Sequence, residues 1–271
     1  MRKLGAYELH AIEGGEFRLD GGAMFGVVPK VLWERSNPAD EKNRIRMNVR
    51  SLLIVGNGRK ILVDSGLGHT WNTRQIEMFA IDYSRFELLR SLQAVGVSPE
   101  EITDVVISHL HFDHVGGAIA FPAATYWVQK ANLSHAHAPT EKDRASFLKE
   151  IIDPFFASGR VKVIDGNVEI APGISTWVTH GHTPGQNLVK VTDGRETVLC
   201  CGDTIPTSSH IPIPWVMAYD LHPMTTMEEK RVILKHAAAE NWTLFWVHDP
   251  FHPAHTITEK DGRYQKVPRT F

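Results

Sequence analysis

Cysteine is nearly absent. The 271 residues include only Cys200 and Cys201, and neighbours in sequence seldom reach the geometry that a disulfide demands. A disulfide-stapled fold is therefore excluded, and both read as reduced cysteines on a strand. Long apolar runs are missing too: stretches such as Ser51 to Val55 fall far short of the roughly 20 residues that a membrane helix needs. Near the N-terminus, Glu8, Glu13 and Glu16 interrupt any apolar core of a signal peptide, so a cytoplasmic protein without membrane association is expected. Charge of one sign is not in excess, with 29 basic against 31 acidic residues and a net charge of -2, which leaves no electrostatic ground for a nucleic-acid partner. No Gly/Ser linker, low-complexity tract or repeat divides the chain, and one domain over residues 1–271 is expected. What the chain does have is histidine, fifteen of them.

Apolar patterning alternates between strand and helix periods. Strands are expected at Ala6–Ile12, Glu16–Leu19, Val49–Val55 and Lys60–Val63, the last two joined at Gly56-Asn57-Gly58, where Asn and Gly tolerate positive φ. Phe86, Leu89, Leu92 and Val95 form the stripe of a helix over Ser84–Val95 with Gly96 as its stop. Ser98-Pro99-Glu100-Glu101 reads as a capping box, and Thr226 to Glu229 as another that opens a helix to about Glu240. Further strands are expected at Asp104–Ser108, Thr125–Gln129, Val161–Ile164, Ser175–Val178, Leu188–Val191, Thr197–Cys200 and Leu244–Val247, with helical stretches at Ala131–His135 and Glu141–Ile151. Interleaving of this kind in both halves fits sheets packed face to face with helices outside.

His109-Leu110-His111-Phe112-Asp113-His114 concentrates metal-ligand chemistry. Two histidines two apart at a strand end project to one side and can share an ion, and Asp113 and His114 can address a second one close by. Buried imidazoles and a carboxylate without a cation would be costly. Three later strand ends also carry ligand types in turns: His180 and His182 in THGHTPG, Asp203 after Cys201-Gly202, and His248 after Trp246-Val247. His135 and His137 sit two apart on a helix and do not share a face, so they read as surface or packing residues.

HLHFDH, GHTPG, Asp203 and His248 occur in the order found in the metallo-β-lactamase superfamily, which the chain resembles over most of its length. The resemblance implies a four-layer αββα sandwich. It implies one divalent ion on His109, His111 and His182, another on Asp113, His114 and His248, and Asp203 bridging them. On spacing alone His180 competes with His182, but the resemblance puts the ligand between Gly181 and Thr183. Asp64 resembles the early strand-end aspartate that orients a metal-bound histidine. Ligands without thiolate suit zinc, with iron, manganese or cobalt as alternatives. Two ions about 3.5–4 Å apart can share a hydroxide that attacks a polarised carbonyl, and Asp113 is then the group that takes up a proton and passes it to the leaving oxygen.

Within the superfamily the chain resembles the N-acyl homoserine lactonases that quench quorum-sensing signals. The residues that carry this are Asp20 to Lys30 (DGGAMFGVVPK), Asp203 to His210 (DTIPTSSH) and His248-Asp249-Pro250. Met24, Phe25 and Val28 are expected to wall an acyl chain. Several such lactonases carry a tyrosine three residues after the bridging aspartate, where this chain has Pro206; His210 or Tyr219 is the candidate replacement. A small-molecule lactone or ester is the expected partner, and a homodimer is the expected assembly. The alternatives are an organophosphate or aryl ester hydrolase of the methyl parathion hydrolase type, an iron redox protein or a non-catalytic metal-binding protein.

Overall fold

A computed structural model describes residues 1–271. Each half of the chain builds one seven-stranded sheet. The first contains β1 (Arg2–Leu4), β2 (Tyr7–Asp20), β3 (Arg44–Gly56), β4 (Arg59–Val63), β5 (Asp104–Val106), β6 (Thr125–Gln129) and β7 (Val161–Ile164), adjacent in chain order. The second contains β8 (Glu169–Ala171), β9 (Ile174–Thr179), β10 (Gln186–Thr192), β11 (Thr197–Cys200), β12 (Thr243–Phe245), β13 (Ala254–Lys260) and β14 (Arg263–Arg269), also in order. Hairpins keep neighbours antiparallel, whereas β4 to β7 and the β11–β12 pair are parallel because helix-containing crossovers return the chain to the same edge.

Apolar burial accounts for the layering. Leu52, Ile54, Val63 and Val106 of one sheet meet Val189, Val198, Phe245 and Val247 of the other in a central core. The opposite faces of the two sheets carry separate cores, one holding Leu53, Leu62, Val105 and Leu92, the other Leu188, Leu199, Ile233 and Leu244. Three apolar seams make four layers, helix–sheet–sheet–helix, and the family fold expected above is what forms. No helix is long and apolar enough to cross a membrane.

Local departures have local causes. The two strands expected before residue 20 are one continuous β2, bent by an extra residue between Glu13 and Glu16 with Gly15 at φ 134°, a β-bulge that glycine permits. Asn57 and Gly58 both take positive φ at the β3–β4 turn, and Ser98 and Glu101 form their reciprocal capping box. The second expected capping box does not form: the helix Pro223–Ala239 begins earlier, and Glu229 turns away to accept from the backbone of His180 and Gly181. The helix expected over Glu141–Ile151 starts only at Lys149, which leaves residues 138–148 largely irregular beside the histidine segment. The β13–β14 hairpin follows the last strand that the pattern predicts, and its residues carry no strong alternation.

Candidate metal centre

Strand ends gather at one edge of the sandwich. β5 runs out into His109–His114, β9 into His182, β11 into Asp203 and β12 into His248. Cross-sheet main-chain bonds stitch this edge together. Asn187 N donates to Ser108 O (2.7 Å), Asn48 N to His248 O (3.2 Å) and Arg50 N to Val247 O (2.9 Å). The turn after His114 lies against residues 65–68 so closely that a Cβ on Gly116 would sit 2.1 Å from Leu67 O, so only glycine fits.

All seven expected ligands are brought together, and each is buried. His111 Nδ1 lies 2.9 Å from His109 Nε2 and 3.2 Å from His182 Nε2. Around the second point, His248 Nε2 lies 3.3 Å from His114 Nε2 and 3.4 Å from Asp113 Oδ2. Asp203 faces both: Oδ2 is 3.5 Å from His182 Nε2, while Oδ1 is 3.1 Å from His248 Nε2 and 3.5 Å from His114 Nε2. Ligand atoms at metal–nitrogen distances of 2.0–2.1 Å in a tetrahedron stand about 3.3 Å apart, and these separations match.

The hydrogen-bond pattern makes the same case. His114 Nδ1 donates to Asp64 Oδ2 (2.9 Å), His182 Nδ1 to Asp220 Oδ1 (2.9 Å) and His248 Nδ1 to Asn48 O (2.9 Å). Ser108 Oγ donates to Asp64 Oδ2 (2.8 Å) and so receives His109 Nδ1 at 3.0 Å. Each of these imidazoles thus spends its proton outward and turns a bare Nε2 lone pair inward. Asp203 Oδ1, buried among these lone pairs, has no hydrogen-bond partner. Acceptors crowded without donors are what a cation satisfies, so the donor set fits divalent metal.

Charge balance agrees. Burial, reinforced by neighbouring histidines, holds His109 and His111 well below the ordinary imidazole value. Burial pulls His114 the same way, but the carboxylates of Asp113, Asp203 and Asp64 outweigh it and hold His114 well above. Burial opposes ionisation of Asp203, yet His248 and His114 keep it well below the usual carboxylate range. A proton on His114 is the alternative to a cation there, and metal binding would displace it.

A cleft opens onto His111, Asp113, His182 and Asp203. Met24, Met47, Phe79, Phe112 and Met217 line it with apolar surface, and Lys142, Asp143, Ser146 and Tyr219 supply its polar rim. Burial, with Asp20 and Asp113 nearby, raises the Tyr219 phenol to about 12, which keeps it a hydroxyl donor at neutral pH.

The two candidates for a substrate contact separate here. His210 is not at the cleft: its Nε2 meets Met24 O at 2.8 Å, its Nδ1 meets Thr207 Oγ1 at 2.8 Å, and its ring stacks on Phe25 at 4.6 Å. Burial lowers it to about 3, so it is a neutral packing residue, and the expectation of a catalytic His210 is corrected by this contact geometry. Phe25 is sandwiched between Trp33 and His210, which leaves Met24 alone of the expected apolar trio at the cleft. His180 is no ligand either; its Nδ1 accepts from Gly185 N at 3.2 Å. Sequence reasoning missed Ser108, Asn48, Asp220 and the 138–148 segment. Asp220 has no motif around it, and Asn48 acts through a main-chain carbonyl that any residue could supply.

Comparison with known proteins follows this geometry. The profile of the Metallo-beta-lactamase superfamily matches residues 44–266. An N-acyl homoserine lactonase of a Bacillus species is 36% identical over 124 residues, 45% of this chain and 46% of that protein; the match thus spans under half the length of the curated lactonase. A probable metal-dependent hydrolase from Staphylococcus aureus superposes with a TM-score of 0.91 at 27% identity, covering 100% of this chain and 99% of the other. AidC, a dizinc quorum-quenching lactonase, superposes with a TM-score of 0.82 at 22% identity over 100% of this chain and 97% of its own, a likeness of fold.

Proposed function

This chain belongs to the metallo-beta-lactamase superfamily, and on that premise we propose that it is a dinuclear metal-dependent hydrolase that opens lactone rings, with N-acyl homoserine lactones as the substrate class. The observation that carries the proposal is Asp203, whose two oxygens face two separate sets of imidazole lone pairs at the floor of a cleft with apolar walls. One set is His109, His111 and His182, the other Asp113, His114 and His248. Zinc suits this nitrogen and carboxylate set, and iron, manganese or cobalt are the alternatives that metal analysis decides. Divalent cations bound there would acidify water and polarise an ester carbonyl.

The chain's own groups perform the remaining work. Asp113 lines the cleft beside His248; its carboxylate takes the proton of the attacking water and returns it to the ring oxygen as the ester bond breaks. Tyr219 also lines the cleft, and in this reading its hydroxyl donates to the substrate carbonyl in place of the tyrosine for which this chain has Pro206. Met24, Met47 and Met217 offer flexible apolar surface to an acyl chain.

Support from relatives is consistent in chemistry, since a Bacillus homologue is an N-acyl homoserine lactonase. The deciding experiment is a panel of homoserine lactones of graded acyl length, an aryl ester and a phosphotriester, run on purified metal-loaded protein. Preference for lactones is expected; preference for the phosphotriester would instead favour an enzyme of the organophosphate type. We also propose a cytoplasmic homodimer, to be checked by fractionation and light scattering.

A further inference from the structure

The helix Pro223–Ala239 buries Thr226, Ile233, Leu234 and Ala237 on one stripe, and in the middle of that stripe lies Lys230, wholly buried. No carboxylate touches it. Its ammonium instead donates to three main-chain carbonyls: Pro212 O at 2.9 Å, Ile213 O at 3.1 Å and Trp215 O at 2.7 Å.

The acceptors come from Ile211-Pro212-Ile213-Pro214-Trp215. Two prolines in five residues remove main-chain donors and bar both helix and ladder; Pro212 O finds one local donor, Trp215 N at 2.9 Å, whereas Ile213 O and Trp215 O have no main-chain partner. The three acceptors surround one point and are met by three N–H bonds diverging from a single atom, an arrangement that among side chains only the lysine ammonium offers. A buried cation is costly to desolvate, and the three carbonyl acceptors offset that cost at this position.

The loop leads directly to the site. Beyond Trp215 it forms the cleft wall at Met217, Ala218 and Tyr219, then reaches Asp220, which accepts Met217 N at 3.2 Å and His182 Nδ1 at 2.9 Å. Leu221 N closes the arc on His182 O at 3.0 Å. The neighbouring Glu229 fixes the other side of His182 by accepting from His180 N at 2.6 Å and Gly181 N at 3.1 Å.

We propose that Lys230 is a positioning residue for the metal centre: by clamping the proline-rich loop it sets the cleft wall at residues 217–219 and holds Asp220 against His182. The metal-affinity part of this rests on His182 being a ligand, as proposed above; the loop-clamping part does not.

The test uses the full chain and Lys230→Met, which keeps the length of the side chain and removes its three donors. In the variant, the amides of Val216, Ala218, Asp220 and Leu221 should exchange with solvent at least about tenfold faster, while those of β10 and β11 keep their protection. Zinc affinity, read by competition with a chromophoric chelator, should fall about tenfold for one ion and not for the other. Unchanged exchange in residues 216–221 overturns the proposal, whether or not lactones prove to be substrates. Unchanged zinc affinity with faster exchange overturns only the link to His182.

A measurement on the unaltered protein guards against a variant that does not fold. Burial lowers Lys230 to about 7, with Asp220 opposing, so at pH 6 nitrogen-15 NMR should detect one lysine ammonium with slowly exchanging protons and contacts to the helix Pro223–Ala239. If every lysine ammonium exchanges rapidly, the clamp does not exist in solution.

Discussion

Replacing Asp64 by asparagine isolates the role of one carboxylate. Asp64 has a φ of 62°, a left-handed conformation that Asn adopts as readily as Asp, so the backbone is not disturbed. The side chain accepts from Ser108 N at 2.6 Å, Ser108 Oγ at 2.8 Å and His114 Nδ1 at 2.9 Å. An amide keeps one acceptor and gains two donors. With its oxygen held by Ser108 N, its NH2 faces His114 Nδ1–H, and the clash is relieved when His114 moves its proton to Nε2, the atom that points at Asp203 and His248. A charge-assisted hydrogen bond of about 1.5–3 kcal/mol is lost from the fold. The ion held through His114 should bind about 10–100-fold more weakly, or about 1.4–2.7 kcal/mol, while the ion held by His109, His111 and His182, which Asp64 reaches only through Ser108 Oγ and His109, should weaken clearly less. Stepwise metal competition on Asp64→Asn, with denaturant unfolding of the metal-free protein, reads both effects. Equal weakening of both ions, or of neither, would refute the assignment of Asp64 to His114.

Other perturbations separate chemistry from scaffolding. Tyr219→Phe should lower kcat/KM for lactones about tenfold, roughly one hydrogen bond in the transition state, with no change in metal content. His210→Ala should instead cost about 2–3 kcal/mol of stability through loss of its stack on Phe25 and its bond to Met24 O, seen in thermal melts, with metal content retained. Acid should destabilise the fold through His255: burial lowers it to about 4, and Trp246 Nε1 donates to its bare Nδ1 at 2.8 Å. Between the unfolded value near 6.5 and the folded value of about 4, the unfolded chain binds more protons, so stability rises with pH across that window and is lost on acidification. His255→Gln keeps an acceptor without titrating and should flatten that slope by on the order of 1–2 kcal/mol, measured by unfolding at pH 4 to 7.

Local order was legible in the residues themselves. The H-x-H-x-D-H spacing, the Asn57-Gly58 turn, the Ser98–Glu101 capping box and β6, β7 and β11 each depend on neighbours within a few positions, and they formed where the pattern put them. Failures came where a distant group outbid a local one. Glu229 could cap its own helix, but the amides of His180 and Gly181 claim its carboxylate. Residues 138–148 have helix-forming composition in part, yet Asp143 binds Thr140 and His135 instead and keeps the segment irregular at the cleft rim.

The sequence by itself narrowed the residues that could hold metal, because ligand type and spacing are local and chemical, though spacing left His180 and His182 both open and the family resemblance chose between them. Only the tertiary structure decided how they are used. It is the packing of two sheets that brings residue 248 against residue 48, so that a main-chain carbonyl selects the tautomer of His248. The same packing buries His210 against Phe25 and leaves Tyr219 at the cleft, and it places Lys230 beneath a proline-rich loop whose carbonyls its ammonium binds. Such pairings depend on where chains cross in space, and a pattern of side chains along one strand or helix carries no record of what lies across from it.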